Sequence, residues 1–217
     1  MDDFLASAHR RVDGEAWARM SLFNFFKEFA EPYHGVCIRV DCTTTYRYAK
    51  EHGLSVALAI EHRALAAAQR IENLRLRIVG EEVWLYDQIH GSSAVGRPDE
   101  TIGFAYYRYS PALERFVREA AQEVERVRRR NDLARNPAAN VIRFSTLPWL
   151  DFTSISHARH FGLQDSAPRI TFGKITVSDE RRTMPVSIHL HHGLADGLHA
   201  GQFVEHFQSL LDAPEEA

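Results

Sequence analysis

The stretch Met184-Pro185-Val186-Ser187-Ile188-His189-Leu190-His191-His192-Gly193-Leu194-Ala195-Asp196-Gly197 decides how the rest of the chain is read. Its first part alternates apolar and polar residues, the pattern of a β-strand with one buried face. It ends in paired histidines and a glycine-flanked turn that carries an aspartate. Strand side chains alternate, so Val186, Ile188, Leu190 and His192 share a face and His191 takes the other. A histidine beside the core at a strand end is placed to act as a general base. A buried histidine satisfied by backbone is the plainer alternative. The fixed offset of Asp196 and Gly197 turns the reading towards the base.

Around this strand lies an ordinary globular composition. The chain has 217 residues, 45% hydrophobic and 25% charged, with a formal net charge of -3. That length holds a core of useful size, and that charge gives no argument for nucleic acid or an anionic membrane surface. Cys37 and Cys42 lie five apart and fall on opposite faces of one strand, which disfavours a disulfide; no zinc spacing exists. The acidic N-terminus lacks a signal-peptide apolar run, and no stretch reaches transmembrane length, so the expected address is cytoplasmic. The 12 histidines are scattered and read mostly as surface.

In chain order, residues 1–16 read as a loosely packed lead-in. Phe23, Phe25, Phe26 and Phe29 follow, as core or as the lining of an apolar pocket, until Pro32 and Gly35 end the helix. Val36 to Cys42 alternates as a strand. Thr43 to Glu51 and Ser55 to Ile71 are helices separated by Gly53. Leu74 to Val79 and Val83 to Tyr86 form a hairpin about Gly80. Gly91 to Asp99 reads as a loop and Thr101 to Tyr109 as a strand. Ser110 caps a charged helix to about Arg130 with Pro111 at its first position. Val141 to Phe144 is a strand, Phe152 to Gly162 a loop with His157 and His160, and Ile170 to Val177 a strand. Gly197 starts a last helix to Leu211, and 212–217 is a frayed tail. Mixed strands and helices without repeat or linker predict an α+β single domain over 1–217: a mixed β-sheet with flanking helices.

These residues carry a resemblance. His191-His192-Gly193-Leu194-Ala195-Asp196-Gly197-Leu198-His199 resembles the His-His-x-x-x-Asp-Gly-Phe-His signature of the trimeric, catalytic chloramphenicol acetyltransferase family. The HxxxDG core is shared with the acyltransferase domains of 2-oxo-acid dehydrogenase complexes and with condensation domains. Trp17-x-Arg19, Ser145-x-x-Pro148-Trp149 with Phe152-Thr153-Ser154, Thr171-Phe172-Gly173-Lys174 and Met184-Pro185 match further family segments in order. The resemblance spans nearly the whole chain. It implies a CoA-dependent acyltransferase fold, a homotrimer with active sites at subunit interfaces, and acetyl-CoA as co-substrate with no permanently bound cofactor. It implies an O-acetyltransferase acting on chloramphenicol, as in antibiotic resistance; the alternative is another alcohol or amine, such as a natural product.

By position, His192 matches the catalytic histidine, Asp196 the structural aspartate and Arg19 its ion-pair partner. Ser145 matches the serine that stabilises the oxyanion and Thr171 the threonine that assists through an ordered water. Lys174 matches a lysine near the CoA phosphates, Phe25 and Phe26 match aromatic positions that line the family's acceptor pocket, with Tyr33 close in sequence, and Trp149 matches the tryptophan of the family's Pro-Trp segment. Pro32, Asp151 and Gly193-Leu194-Ala195 depart from the family, and 91–110 matches poorly; these departures bear on the acceptor. A metal site from His189, His191 and His199 is conceivable, but no carboxylate or cysteine completes it, and none is expected. An acyltransferase core of a dehydrogenase complex or a non-enzymatic trimeric scaffold is the third reading. No lipoyl domain precedes residue 17, and His192, Ser145 and Thr171 are all retained.

Overall fold

The computed structural model describes residues 7–14, 16–134, 136–159 and 165–213. The expected lead-in at 1–6, His160 with 161–162 of the expected loop, and the tail at 214–217 lie outside the described residues.

The strand of the opening stretch is β10, Arg181–His191. It sits inside a seven-stranded mixed sheet. β2 (Tyr33–Asp41) lies on one side of it; on the other follow β8 (Arg169–Phe172), β7 (Val141–Thr146), β5 (His90–Gly96) and β6 (Ile102–Tyr107). β7 pairs in parallel with both β5 and β8, and the remaining pairs are antiparallel. β9 (Thr176–Ser178) pairs with the start of β10. A second, three-stranded sheet joins β1 (His9–Arg11), β4 (Glu82–Tyr86) and β3 (Leu76–Val79). The fold is thus the expected mixed sheet with flanking helices.

The sheet's two faces follow from alternation. Ile142, Phe144, Ile170, Phe172, Val186, Ile188 and Leu190 are buried in one core with Leu65 of α3 (Val56–Gln69) and Phe203 and Phe207 of α6 (Gly197–Asp212). α2 (Thr43–Glu51) and α5 (Leu113–Arg128) complete this helical layer, and the short α4 (Glu72–Arg75) leads into β3, so Leu74 and Arg75 are helical rather than the start of the expected strand. The odd positions, Arg143, Ser145, Arg169, Thr171, Ser187 and His189, fall on the opposite face. That face carries the chemistry.

Several local expectations change. Residues 9–11 are a strand paired with β4, not a loose lead-in. Gly91 to Asp99 is largely β5, in the middle of the sheet. Its Ser92, Ser93 and Ala94 are small because the strand is packed on both faces, and a Cβ on Gly91 would stand 2.1 Å from the Tyr107 ring. α5 begins after Ala112 with no side-chain cap, so Ser110 is not its cap; the Ser110 carbonyl instead accepts from His62 Nε2. The strand expected over 170–177 splits into β8 and β9 at Gly173, opposite Pro185. Proline has no N–H for the ladder, and a Cβ on Gly173 would lie 2.5 Å from Pro185 Cγ and 2.7 Å from the Leu150 carbonyl oxygen. The histidines are mostly not on the surface: His62, His90 and His191 are buried, and His34, His157, His189, His192 and His199 are half-buried.

Candidate active site

The residues singled out in the sequence fall into two groups that one chain keeps apart. The first is built around the turn after β10. The His192 N–H donates to the Pro32 carbonyl at 2.8 Å, which ties the turn to the start of β2. Arg19, just before α1 (Met20–Phe26), donates from Nη1 to Asp196 Oδ2 at 2.7 Å and from Nη2 to the His192 carbonyl at 3.2 Å. One guanidinium therefore holds both ends of the signature turn. Asp196 also caps α6, accepting from the Leu198 N–H, and its Oδ1 lies 2.9 Å from His199 Nδ1. Burial alone would raise the Asp196 pKa, but the hydrogen bonds and charges of Arg19 and His199 bring it down to about 2. Among the described residues no hydrogen bond joins Asp196 to the His192 imidazole.

That imidazole is held by rings. Phe26 stacks on it at 4.1 Å with the planes 4° apart, and His34 lies 4.5 Å away at 45°. His34 Nε2, 3.2 Å from the Ala195 carbonyl, donates to it and so fixes its own orientation. His191 is buried, its Nδ1 accepting from the Gly193 N–H. Phe25 is 61% exposed and touches Phe26 and Phe29 rather than His192. The Tyr33 hydroxyl is committed to the Asp165 and Ala167 carbonyls, and Arg159 covers its ring at 3.4 Å. Burial, then Asp165, pushes the Tyr33 pKa up.

The second group lies across the sheet. Ser145 of β7 pairs with Thr171 of β8, which pairs with Ser187 of β10. Thr171 is fully buried and its Oγ1 has no hydrogen-bond partner among the described residues. Trp149, 71% exposed, and Leu150 follow on the connection after β7; the Lys174 N–H donates to the Leu150 carbonyl, which brings exposed Lys174 to this rim. His192 is five positions beyond Ser187, so the two groups stand roughly 16 Å apart along β10. The structure does not bring His192 to Ser145 and Thr171 of its own chain.

Sequence reasoning missed His34, because β2 begins at Tyr33 rather than Val36; Pro32 and Gly35 had read as breakers. It also missed Arg143, Arg169 and His157, which line a cavity of about 110 Å³ with Ser145. A signal existed: Arg143 and Arg169 stand two residues before Ser145 and Thr171, hence on the same sheet face. No group of three or more His, Cys, Asp or Glu side chains suited to a metal is found among the described residues.

Known proteins share this fold. Among solved structures, a chloramphenicol acetyltransferase superposes with a TM-score of 0.86 at 27% identity, over 94% of this chain and all of that one. A probable dihydrolipoamide acetyltransferase from Listeria monocytogenes shares the fold, with a TM-score of 0.67 at 16% identity over 96% of each chain. The sheet and the helices behind it therefore have the fold of the CoA-dependent acyltransferases. The sequence model described as "Chloramphenicol acetyltransferase" matches residues 7–208. Chloramphenicol acetyltransferases of Bacillus pumilus and Streptomyces acrimycini are 25% and 26% identical, covering 95% and 94% of both chains respectively. The chain belongs to the chloramphenicol acetyltransferase family.

Proposed function

We propose that this enzyme transfers acetyl from acetyl-CoA to a hydroxyl of a small acceptor, with His192 as general base, in a homotrimer whose sites lie between subunits. The observation that carries this reading is the separation of the two groups. Each is locally well built, and only a second copy can bring a His192 to a Ser145 and a Thr171. Exposed Phe25, Phe29, Trp149 and Leu150 offer apolar surface for such an interface.

The chemistry assigns one task to each side chain. His192 takes the acceptor's hydroxyl proton as the oxygen attacks the thioester carbonyl. Ser145 donates to the resulting oxyanion, and the buried Thr171 hydroxyl supports the tetrahedral centre. Collapse expels the CoA thiolate, which recovers the proton from His192. No covalent enzyme intermediate forms. Lys174 sits at the open rim, where it meets CoA phosphates. Arg19 and Asp196 hold the turn and take no proton. Relatives named for chloramphenicol make it the first acceptor to test, with another alcohol as the alternative, and acetyl-CoA as donor suits a cytoplasmic address.

The test is thiol release from acetyl-CoA with chloramphenicol and a panel of alcohols. His192→Ala should lower the rate about 10²–10⁴-fold and Ser145→Ala about 10²–10³-fold, with both variants folded. Transfer that persists unchanged in folded His192→Ala would overturn the assignment of the base.

A further inference from the structure

The cavity beside Ser145 is cationic. Two rows of side chains cross the same face of the sheet. In one, Thr171 is paired with Ser145 on one side and Ser187 on the other; in the row before it, Arg169 is paired with Arg143 and His189. Two residues separate the rows, roughly 7 Å. Arg143, Arg169 and His157 reach the cavity with Phe104 and Ser145.

The charges here are not balanced by their neighbours. Arg169 donates from Nη2 to Asp165 Oδ2 at 2.7 Å, and Arg143 Nε lies 3.5 Å from the same oxygen. Two guanidinium groups thus share one carboxylate. Arg159 takes Glu31 at 2.8 Å. Arg143 Nε, Arg169 Nε and His157 Nε2 are buried with no hydrogen-bond partner among the described residues. Burial foremost, then His189, Arg169 and Arg159, holds the His157 pKa down to about 4, so its imidazole is a neutral donor or acceptor. Unmet N–H groups around an excess positive charge are costly unless an anion meets them. A guanidinium pair suits a carboxylate or phosphate oxygen, and a neutral nitroaromatic would leave it unpaired.

Resting on the acetyl-transfer reading above, but not on chloramphenicol as acceptor, we propose that the acceptor is a small hydroxylated anion. Its carboxylate or phosphate meets Arg143 and Arg169 while its hydroxyl lies by Ser145 and Thr171.

The test compares acceptors in matched pairs, with thiol release from acetyl-CoA as the readout. Straight-chain hydroxycarboxylates of three to six carbons are set against their methyl esters, glycerol phosphate against glycerol, with chloramphenicol alongside. The wild-type enzyme should prefer the anionic member at least tenfold in kcat/KM, and Arg143→Leu should shrink that ratio. The carboxylate and phosphate arms identify which anion is meant. Equal turnover of anionic and neutral members, or chloramphenicol outpacing all the anions, would overturn the proposal. If no acceptor releases thiol, the transfer reading fails, and calorimetric titration judges the anion separately. Hydroxycarboxylate binding tighter than its ester and weakened by Arg143→Leu supports it; equal or absent binding sinks it.

Discussion

Asp196 sits where the turn after β10 becomes α6, and it serves both. It caps the helix through the Leu198 N–H and holds Arg19, whose other arm reaches the His192 carbonyl. Asparagine keeps the cap and loses the charge, because both residues are good caps. The pair is partly buried, with side-chain exposures of 13% for Arg19 and 30% for Asp196. Its loss should therefore fall between the near-zero of surface pairs and the 3–5 kcal/mol of fully buried ones, at about 2 kcal/mol. Asp196→Asn is expected to lower the midpoint of thermal unfolding by roughly 4–8 °C at pH 7 and to lower kcat as the His192 turn loosens. The sign against pH follows from the depressed pKa of about 2. The contribution is full above the unfolded value near 3.9 and disappears as pH falls towards 2. Denaturant melts of both proteins should differ at pH 7, and at pH 2.5, still above the folded pKa, the difference should shrink to about a third. A variant as stable as the parent at pH 7, with kcat alone reduced, would return Asp196 to the catalytic machinery.

At the scale of the element, α3 is the unexpected one. Its alanine-rich sequence reads plainly as a helix, and Ser55 caps it as a helix start should be capped. Its burial on every side does not read, because Glu61-His62-Arg63 looks like a solvated turn. The helix lies between the sheet and α2, α5 and α6, and Glu61 is 2% exposed. Its partners are Ser93, 32 residues away, and Tyr107, 46 away, both from strands on the helix side of the sheet. Such a pairing is invisible to a local pattern. The strand that supplies Ser93 was itself read as a loop, since its small residues lack the β-branched signature. Burial raises the Glu61 pKa to about 8, against a smaller opposing pull from Ser93. The folded chain therefore keeps a proton that the unfolded chain releases above about 4.5. Glu61 costs nothing below that pH and destabilises progressively as pH climbs to about 8, by roughly 4–5 kcal/mol in all. Glu61→Gln should copy the protonated acid and remove this slope. Buried His62, with a pKa of about 4, slopes the opposite way in both proteins, so the difference between their stability curves isolates Glu61. Parallel curves from pH 5 to 8.5 would mean that Glu61 is ionised in the fold.

For the whole molecule, the order of elements and the signature strand were legible because they rest on period and punctuation. The partition of the site was legible only through the family resemblance and not from period or spacing, since it depends on which strands become neighbours. Only the register of β10 against β8 shows His192 roughly 16 Å beyond Thr171. A site shared between copies has a consequence that a site within one chain lacks. Take His192→Ala and Ser145→Ala, each inactive as a homogeneous assembly. Co-expressed with separable tags and purified as mixed trimers, they form some interfaces in which the His192 and the Ser145 are both intact, supplied by different subunits. In each purified mixed trimer, whichever chain is doubled, that is one of the three sites, by the head-to-tail arrangement of a cyclic trimer. The mixed preparation should recover about a third of wild-type kcat, and sedimentation should give the mass of three chains. A monomeric mass, or mixed trimers no more active than their parents, would place the whole reaction within one chain. It would then require His192 to reach Ser145 by a rearrangement of β10 that the packed sheet opposes.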